Sequence, residues 1–305
     1  MSELRETLRR ELPGLEEAVP LAPLCTYGVG GPAKYLYRAT ATDALVHAVA
    51  VARELAVPLT VLGRMTNVLV ADEGLPGLVV LARNEAQRLD GELLTVGAGA
   101  ELPAVVAGLA EGGLAGLEYA GNIPGSVGGA VVGNAGAYGR SVGDVLVTTR
   151  LLDDGRVRDA GPEELEFGYR TSALKSRGDV IVLEATFALT HGERGALLSE
   201  IARDAELRRT KHPLEYGSCG SYFKNPSREL PAAKLIEEAG LKGLTIGRAQ
   251  VSTKHANFLV ALPGARATDV LALSDEVKRR VLEHSGVELV EEVRRLGFAA
   301  GDDPA

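Results

Sequence analysis

The sequence predicts an α+β fold, because strand and helix patterns are mixed along it without the regular alternation of parallel βαβ units. Three observations carry that expectation. Short apolar runs bounded by turn residues, such as Leu78 to Ala82, Val145 to Leu152 and Val180 to Ala188, read as strands. Amphipathic stretches interrupt them at irregular intervals, and no internal repeat or low-complexity segment imposes a period. With 46% hydrophobic residues among 305, the chain has material for one large domain or two to three smaller ones.

Composition narrows the function. A formal net charge of -8 argues against wide contact with nucleic acid, which needs a Lys/Arg surplus, although local basic spots remain. No apolar run reaches the roughly 18 residues of a membrane span, and the charged start Met1-Ser2-Glu3-Leu4-Arg5-Glu6 lacks an apolar signal core. The two cysteines, Cys25 and Cys219, lie far apart, and no histidine stands three to five residues from another His or a Cys. Neither a metal site nor a disulfide framework is expected; a reduced, cytoplasmic enzyme fits best.

Taken in order, Leu4, Leu8 and Leu12 predict a short amphipathic helix stopped by Pro13-Gly14. Thr26-Tyr27-Gly28-Val29-Gly30-Gly31-Pro32 follows; Ala33 stands where a strict dinucleotide fingerprint has its third glycine, and the segment by itself reads as a turn. Thr42 or Asp43 is placed to cap a helix to about Leu55 with Leu45, Val49 and Ala52 on one face. Pro58 to Leu62 reads as a buried strand running into Gly63-Arg64-Met65-Thr66-Asn67-Val68-Leu69-Val70, where backbone N–H groups and a Thr hydroxyl can meet a phosphate. Strands from Leu78 and Leu93 precede a helix from about Glu101 to Glu111, with Asp90-Gly91 as the turn before the second. That helix buries Leu102, Val105, Val106 and Leu109 and closes at Gly112-Gly113.

A glycine-rich stretch then dominates the chain. Gly121, Gly125, Gly128, Gly129, Gly133, Gly136 and Gly139 recur too closely for a packed helix or strand, and no Asp, Glu or Lys occurs from Asn122 through Gly139. An apolar, uncharged, glycine-rich loop predicts close backbone approach to a large flat or phosphorylated ligand.

Beyond it, Val145 to Leu152, Asp154-Gly155 and Arg156 to Arg158 form a hairpin pattern, joined by a strand from Val180 to Ala188. Arg170, in Phe167-Gly168-Tyr169-Arg170-Thr171-Ser172, reads in isolation as a surface ion-pair partner. After the break at His191-Gly192, Gly195 to Arg209 is helical, with Leu197, Leu198, Ile201, Ala205 and Leu207 among its apolar positions. Its end, Arg208-Arg209-Thr210-Lys211-His212-Pro213, suits either the helix dipole or an anionic ligand. The loop Gly217 to Pro226 gathers Ser218, Cys219, Ser221, Lys224 and Asn225, and no G-x-S-x-G surrounds its serines, so a hydrolase nucleophile is disfavoured. Helices from Pro231 to Ala239 and Asp269 to His284, strands near Ala249 to Val251 and Phe258 to Val260, and a last strand across Gly286 to Gly297 complete the pattern; the tail after Gly301 reads as loose.

These loops together resemble, in the family's order from about Thr26 to Gly297, the UDP-N-acetylenolpyruvoylglucosamine reductase (MurB) family. The resemblance rests on Thr26-Tyr27-Gly28-Val29-Gly30-Gly31-Pro32-Ala33, Gly121-x-Ile123-Pro124-Gly125-Ser126-Val127-Gly128-Gly129-Ala130, and Asn134-Ala135-Gly136-Ala137-Tyr138-Gly139. Tyr169-Arg170-x-Ser172, Gly220-Ser221-x-Phe223-Lys224-Asn225-Pro226, Lys234-Leu235-Ile236-Glu237, Gly240-Leu241-Lys242-Gly243 and Glu292-Val293-Arg294 complete it. It implies a flavoenzyme of peptidoglycan precursor synthesis, an oxidoreductase holding FAD non-covalently and using NADPH to reduce the enolpyruvyl UDP-sugar to UDP-N-acetylmuramate. No His lies between Leu62 and Val70 to tether the flavin, as related oxidases commonly do.

The implied architecture is an FAD-binding region of two α+β subdomains, of the vanillyl-alcohol-oxidase (PCMH) type, over residues 1–190 (about 1–75 and 76–190). A smaller α+β substrate-binding domain would cover 191–285, and 286–305 would return to the FAD side as a strand and tail. FAD would lie against Gly63, Arg64, Met65, Thr66, Asn67, Val68 and Leu69; against Gly121, Ile123, Pro124, Gly125, Ser126, Gly128 and Ala130 along its phosphates; and against Asn134, Gly136 and Tyr138 toward the flavin. Arg170 and Glu292 would stabilise an enolate-like state and Ser221 would donate the proton. Tyr169, Arg208, Lys211, Lys224, Asn225 and Gln250 fall on the substrate side. The partners implied are small molecules only, with the chain a monomer.

Three departures stand out. The family's Gly-Gly-Gly-Ser-Asn is Gly63-Arg64-Met65-Thr66-Asn67 here, so positions 64 and 65 should not need positive φ, and Arg64 would reach the FAD phosphates instead. The Glu-Pro before the final Glu is Val290-Glu291, so choosing Glu292 over Glu291 rests on Val293-Arg294. No inserted segment supplies the Tyr-bearing lid of the longer subtype, which marks the shorter one.

Overall fold

In the computed structural model, which describes residues 2–298, the middle of the chain folds into a five-stranded antiparallel sheet. Its order is Arg156–Ala160, Leu146–Asp153, Ile181–Ala188, Leu93–Gly97, Gln87–Asp90. The first hairpin closes at Asp154 and Gly155, both at positive φ (47° and 76°), the turn whose twist matches that of paired strands. The helix Leu102–Glu111 buries Leu102, Val105, Val106 and Leu109 as its spacing predicts, in one cluster with Val96, Val127, Val131 and Phe187. A four-stranded sheet has the order Glu16–Pro20, Pro32–Ala39, Leu75–Ala82, Leu59–Leu62, with Leu59 opposite Leu78 in the parallel pair.

Contacts group the chain into two units. The first takes the chain start to Glu17, Tyr35–Arg64 and Gly77–Glu206; the second takes Ala18–Lys34, Met65–Pro76 and the chain from Leu207 onward. Within the second, the helix Ala267–Ser285 buries Val270, Leu273, Val277 and Val281, and Thr245–Ile246, Ala249–Val251 and Leu259–Ala261 form a three-stranded sheet. Val68–Val70 pairs in parallel with Arg294–Leu296 in the same unit. Among the described residues no helix is long and apolar enough to cross a membrane.

Several sequence expectations need correction. The glycine-rich stretch does contain a helix, Val127–Val132, with the Ser126 hydroxyl accepting from the Gly129 amide at its start. Helix propensity is overridden by packing: a Cβ on Gly128 would stand 2.8 Å from the Ala98 Cβ, so only glycine lets the two backbones meet. The Thr42–Glu54 helix starts from Ala41 without a side-chain cap, and the Thr42 hydroxyl donates to Glu184 at 3.3 Å instead. Glu16–Pro20 and Pro32–Ala39 are strands that no turn-bounded apolar run announced, the second starting on a proline, which needs no ladder N–H there. The last strand is only Arg294–Leu296, and the tail from residue 299 lies outside the described residues. On Arg194–Lys211, Ala205 and Leu207 are exposed while Asp204 is buried.

Candidate functional site

In the first unit the glycine-rich stretch is sewn to the start of the Leu102–Glu111 helix. The Leu102 amide donates to Gly125 O (3.0 Å), Val127 to Ala100 O (3.0 Å) and Gly128 to Ala98 O (2.8 Å). Gly63, at the end of the Leu59–Leu62 strand, runs so close that a Cβ there would fall on the Ser126 hydroxyl. Arg83, which sequence reasoning missed, donates to the Gly63 carbonyl at 2.9 Å. Burial, and then the neighbouring Arg64 cation, lower its pKa from the usual guanidinium range. Arg64 itself pairs with Glu85 and stands 4.0 Å from Glu101, and its buried Nε has no hydrogen-bond partner among the described residues. The hydroxyl of buried Tyr119 likewise has no hydrogen-bond partner among the described residues, and the Arg140 guanidinium lies 5.0 Å from its ring centroid. Only their neighbours in the motifs, Gly63 and Gly121, signal Arg64 and Tyr119 in the sequence.

The second half of the stretch is bound to the Tyr-Arg loop. Asn134 accepts from the Gly143 amide and donates to Gly168 O, each at 2.9 Å, and the Ser172 hydroxyl donates to Val132 O at 2.7 Å. Gly168 and Thr171 close a tight turn that carries Tyr169 and Arg170; Arg170 has φ +56°, and Lys175 donates to its carbonyl. Tyr138 and Tyr169 are 59% and 57% exposed, large rings left open to solvent in a unit that buries Tyr119 and Phe187. The Asn134 and Tyr169-Arg170 motifs are thus brought together by this unit. A polar depression on the five-stranded sheet, lined by Arg88, Thr95, Arg150, Asp159 and Glu184, contains none of the candidate residues.

In the second unit three further motifs converge. The Thr26 amide donates to Met65 O (3.3 Å), and the Asn67 side chain donates to Glu292 O (3.0 Å). The Arg294 amide returns to Asn67 O at 3.1 Å. Contrary to expectation, Met65 has positive φ (+53°) despite standing where the motif has glycine, and its side chain is buried. Ser221 follows Gly220 at φ +78° and precedes a short antiparallel pairing: Lys224 N to Val290 O and Glu292 N to Tyr222 O, both 2.8 Å. Asn257 clamps the same segment by taking the Phe223 amide (3.0 Å) and donating to its carbonyl (2.8 Å). Glu291 is buried in an ion pair with Arg295 and Lys278.

The basic substrate-side candidates are less assembled. Asn225 caps the Ala232–Glu238 helix by accepting from Ala232 N at 3.0 Å, and Gln250 donates to the Thr245 hydroxyl at 3.0 Å. Lys211 ends its helix exposed, and Arg208 lies one turn before it. Next to them His212 packs on Phe258 and His255; burial, then the cations of Arg208, Lys254 and Lys211 together with His255, pull it down to about 4. The thiols of Cys25 and Cys219 both donate to Val68 O at 3.3 Å.

Two family models match the chain: an FAD binding domain over residues 33–161, and the C-terminal domain of UDP-N-acetylenolpyruvoylglucosamine reductase over 212–296. A protein of Rubrobacter xylanophilus with that reductase name is 45% identical over 95% of this chain and 98% of its own length. One of Heliobacterium modesticaldum with the same name is 43% identical over 92% and 90%. The crystal structure of UDP-N-acetylenolpyruvylglucosamine reductase (MurB) from Thermus caldophilus superposes with a TM-score of 0.78 at 38% identity, covering 92% of this chain and 98% of that one.

Proposed function

The chain belongs to the UDP-N-acetylenolpyruvoylglucosamine reductase family, and from that premise we propose that it reduces UDP-N-acetyl-3-O-(1-carboxyvinyl)glucosamine to UDP-N-acetylmuramate with NADPH. It is an FAD-binding reductase. The observation that carries the reading is the backbone knot of the second unit. The Ser221 segment and Asn67 are both hydrogen-bonded to Glu292, Asn67 across 225 positions of sequence, and this supports assigning the proton donor, the acid and a flavin-loop residue to these three motifs.

The residues present fit FAD. Asn122 to Gly139 brings no charged side chain, and buried Arg64 Nε and the Tyr119 hydroxyl offer donors unused among the described residues. Gly63, Arg64, Gly121, Ile123, Pro124, Gly125, Ser126, Gly128 and Ala130 would hold the phosphates. Met65 to Leu69, Asn134, Gly136 and Tyr138 would hold the rest. The chemistry that FAD supplies is hydride transfer, from NADPH to the enolpyruvyl double bond.

Hydride attack on the terminal carbon of the enol ether builds negative charge toward its carboxylate. Arg170 is assigned to stabilise that charge, its turn geometry fixed by Gly168 and Thr171. Glu292 is assigned to the same state, with its backbone held on both sides by Tyr222 and Asn67. Ser221 gives the proton to the adjacent carbon. A serine hydroxyl is a feeble acid in water, so the Lys224 cation three residues on is assigned to ease the donation. Tyr169, Arg208, Lys211, Lys224, Asn225 and Gln250 are the proposed contacts to the UDP-sugar, the cations among them suited to its diphosphate within an acidic protein. On this reading residues 1–190 serve the flavin, 191–285 the substrate, and the segment from 286 returns Glu292 to the flavin side. The enzyme works in the cytoplasm as a monomer. FAD-loaded protein given NADPH and the enolpyruvyl UDP-sugar should form a product heavier by two hydrogens; substrate recovered unchanged rejects the activity.

A further inference from the structure

We infer that the buried Glu291–Arg295 ion pair is a positioning element for Glu292, an ionic replacement for the proline that the family motif carries at position 291. The inference rests on the assignment of Glu292 made above. The Glu291 side chain is 1% exposed and that of Arg295 6%. The guanidinium grips the carboxylate with two nitrogens, Nε at 2.8 Å from Oε2 and a terminal nitrogen on Oε1. Lys278 Nζ stands 3.1 Å from the same Oε1, and Arg295 also donates to the Ser274 hydroxyl (3.3 Å) and to Asp275 (3.2 Å). Ser274, Asp275 and Lys278 all belong to the Ala267–Ser285 helix, so one carboxylate bolts the segment bearing Glu292 to that helix.

Buried ion pairs are poor sources of net stability, because desolvating both charges offsets most of their attraction. The backbone shows what this pair does instead. Lys224 N to Val290 O and Glu292 N to Tyr222 O flank the Phe223–Glu291 bridge, making it a non-hydrogen-bonded pair in which the Glu291 N–H takes no part. A proline fits such a position and locks φ through its ring. With glutamate there, the ring's restraint is absent and the ion pair fixes the residue from the side chain. Consecutive side chains of an extended segment leave on opposite faces, so anchoring Glu291 to the helix sets the direction in which the Glu292 carboxyl leaves.

Two double variants separate positioning from stability. Glu291→Leu/Arg295→Leu removes the pair without stranding a charge, and Glu291→Pro/Arg295→Leu adds the ring. With FAD bound, both should bleach with NADPH at the rate of the unmodified enzyme. Flavin reoxidation by the enolpyruvyl substrate should slow about tenfold in the Leu/Leu variant and return to within about threefold of normal in the Pro/Leu variant, as expected for small displacements of a reacting group. A purely structural pair would leave the two variants alike. Unchanged reoxidation in Leu/Leu, no recovery in Pro/Leu, or equal loss of both half-reactions would each overturn the inference. If Leu/Leu does not retain FAD, Glu291→Gln decides, with slowed reoxidation at unchanged reduction supporting the role and any other pattern overturning it. Glu292→Gln run alongside isolates the premise: normal reoxidation there overturns the assignment of Glu292 itself, whatever the double variants do.

Discussion

Ser221 sits just before a residue whose amide donates to Asn257 O and whose carbonyl accepts from Glu292, so its own hydroxyl carries none of that ladder. Ser221→Ala is therefore expected to keep its FAD and its rate of bleaching by NADPH. Reoxidation by substrate should fall by about 10²–10⁴, the usual worth of a positioned proton donor. Anaerobic stopped-flow measures both, and a parallel fall would make the serine structural. At Met65 local preference misleads. Loss of the motif's glycine predicts negative φ, yet the residue adopts +53° at a cost of about 1–2 kcal/mol. Burying the methionine side chain returns about 1.5–3 kcal/mol, so the tertiary term wins. The choice of Glu292 over Glu291 rests on the Val293-Arg294 that follows it, whereas the buried ion pair of Glu291 with Arg295 and Lys278 joins positions that no linear motif links.

At the scale of elements, spacing was readable where one apolar face meets one core. The stripe on Leu102–Glu111 and the Asp154-Gly155 hairpin follow from periodicity and turn chemistry alone. Where backbone meets backbone, the signal inverts, and the glycines that argue against a helix are what let Val127–Val132 pack beneath Ala98. Gly128→Ala should cost about 1–3 kcal/mol, the price of overpacking, and should loosen FAD retention by shifting this helix. Urea unfolding and flavin content after gel filtration check it; unchanged stability would mean that the Ala98 contact yields freely. Caps were less legible, because Thr42 had a distant partner, Glu184, that sequence could not reveal.

For the molecule as a whole, the order of motifs identifies the chemistry, but not which motifs share a unit. Met65 to Leu69 belong with Ser221 and Glu292, while Gly63 and Arg64 belong with the glycine-rich helix, a division no linear reading contains. Acid stability is expected to follow from His212, which burial first and then the neighbouring cations hold at about 4, below the ordinary histidine value of 6.5. Above pH 6.5 it is neutral folded or unfolded; between 6.5 and 4 the unfolded chain binds the proton first, so stability is lost as pH falls through that window. Allowing for partial solvent access, the loss is on the order of 2 kcal/mol. Denaturant unfolding at pH 7.5 and 4.5 should show a shallower dependence in His212→Gln; identical slopes would remove His212 as the cause. The central claim is that flavin reduced by NADPH passes its hydride to an enolpyruvyl UDP-sugar. Its most direct test is anaerobic mixing of the FAD-loaded, NADPH-bleached protein with that sugar. The flavin absorbance should return in step with UDP-N-acetylmuramate formation, and flavin that stays bleached until oxygen enters would contradict the account.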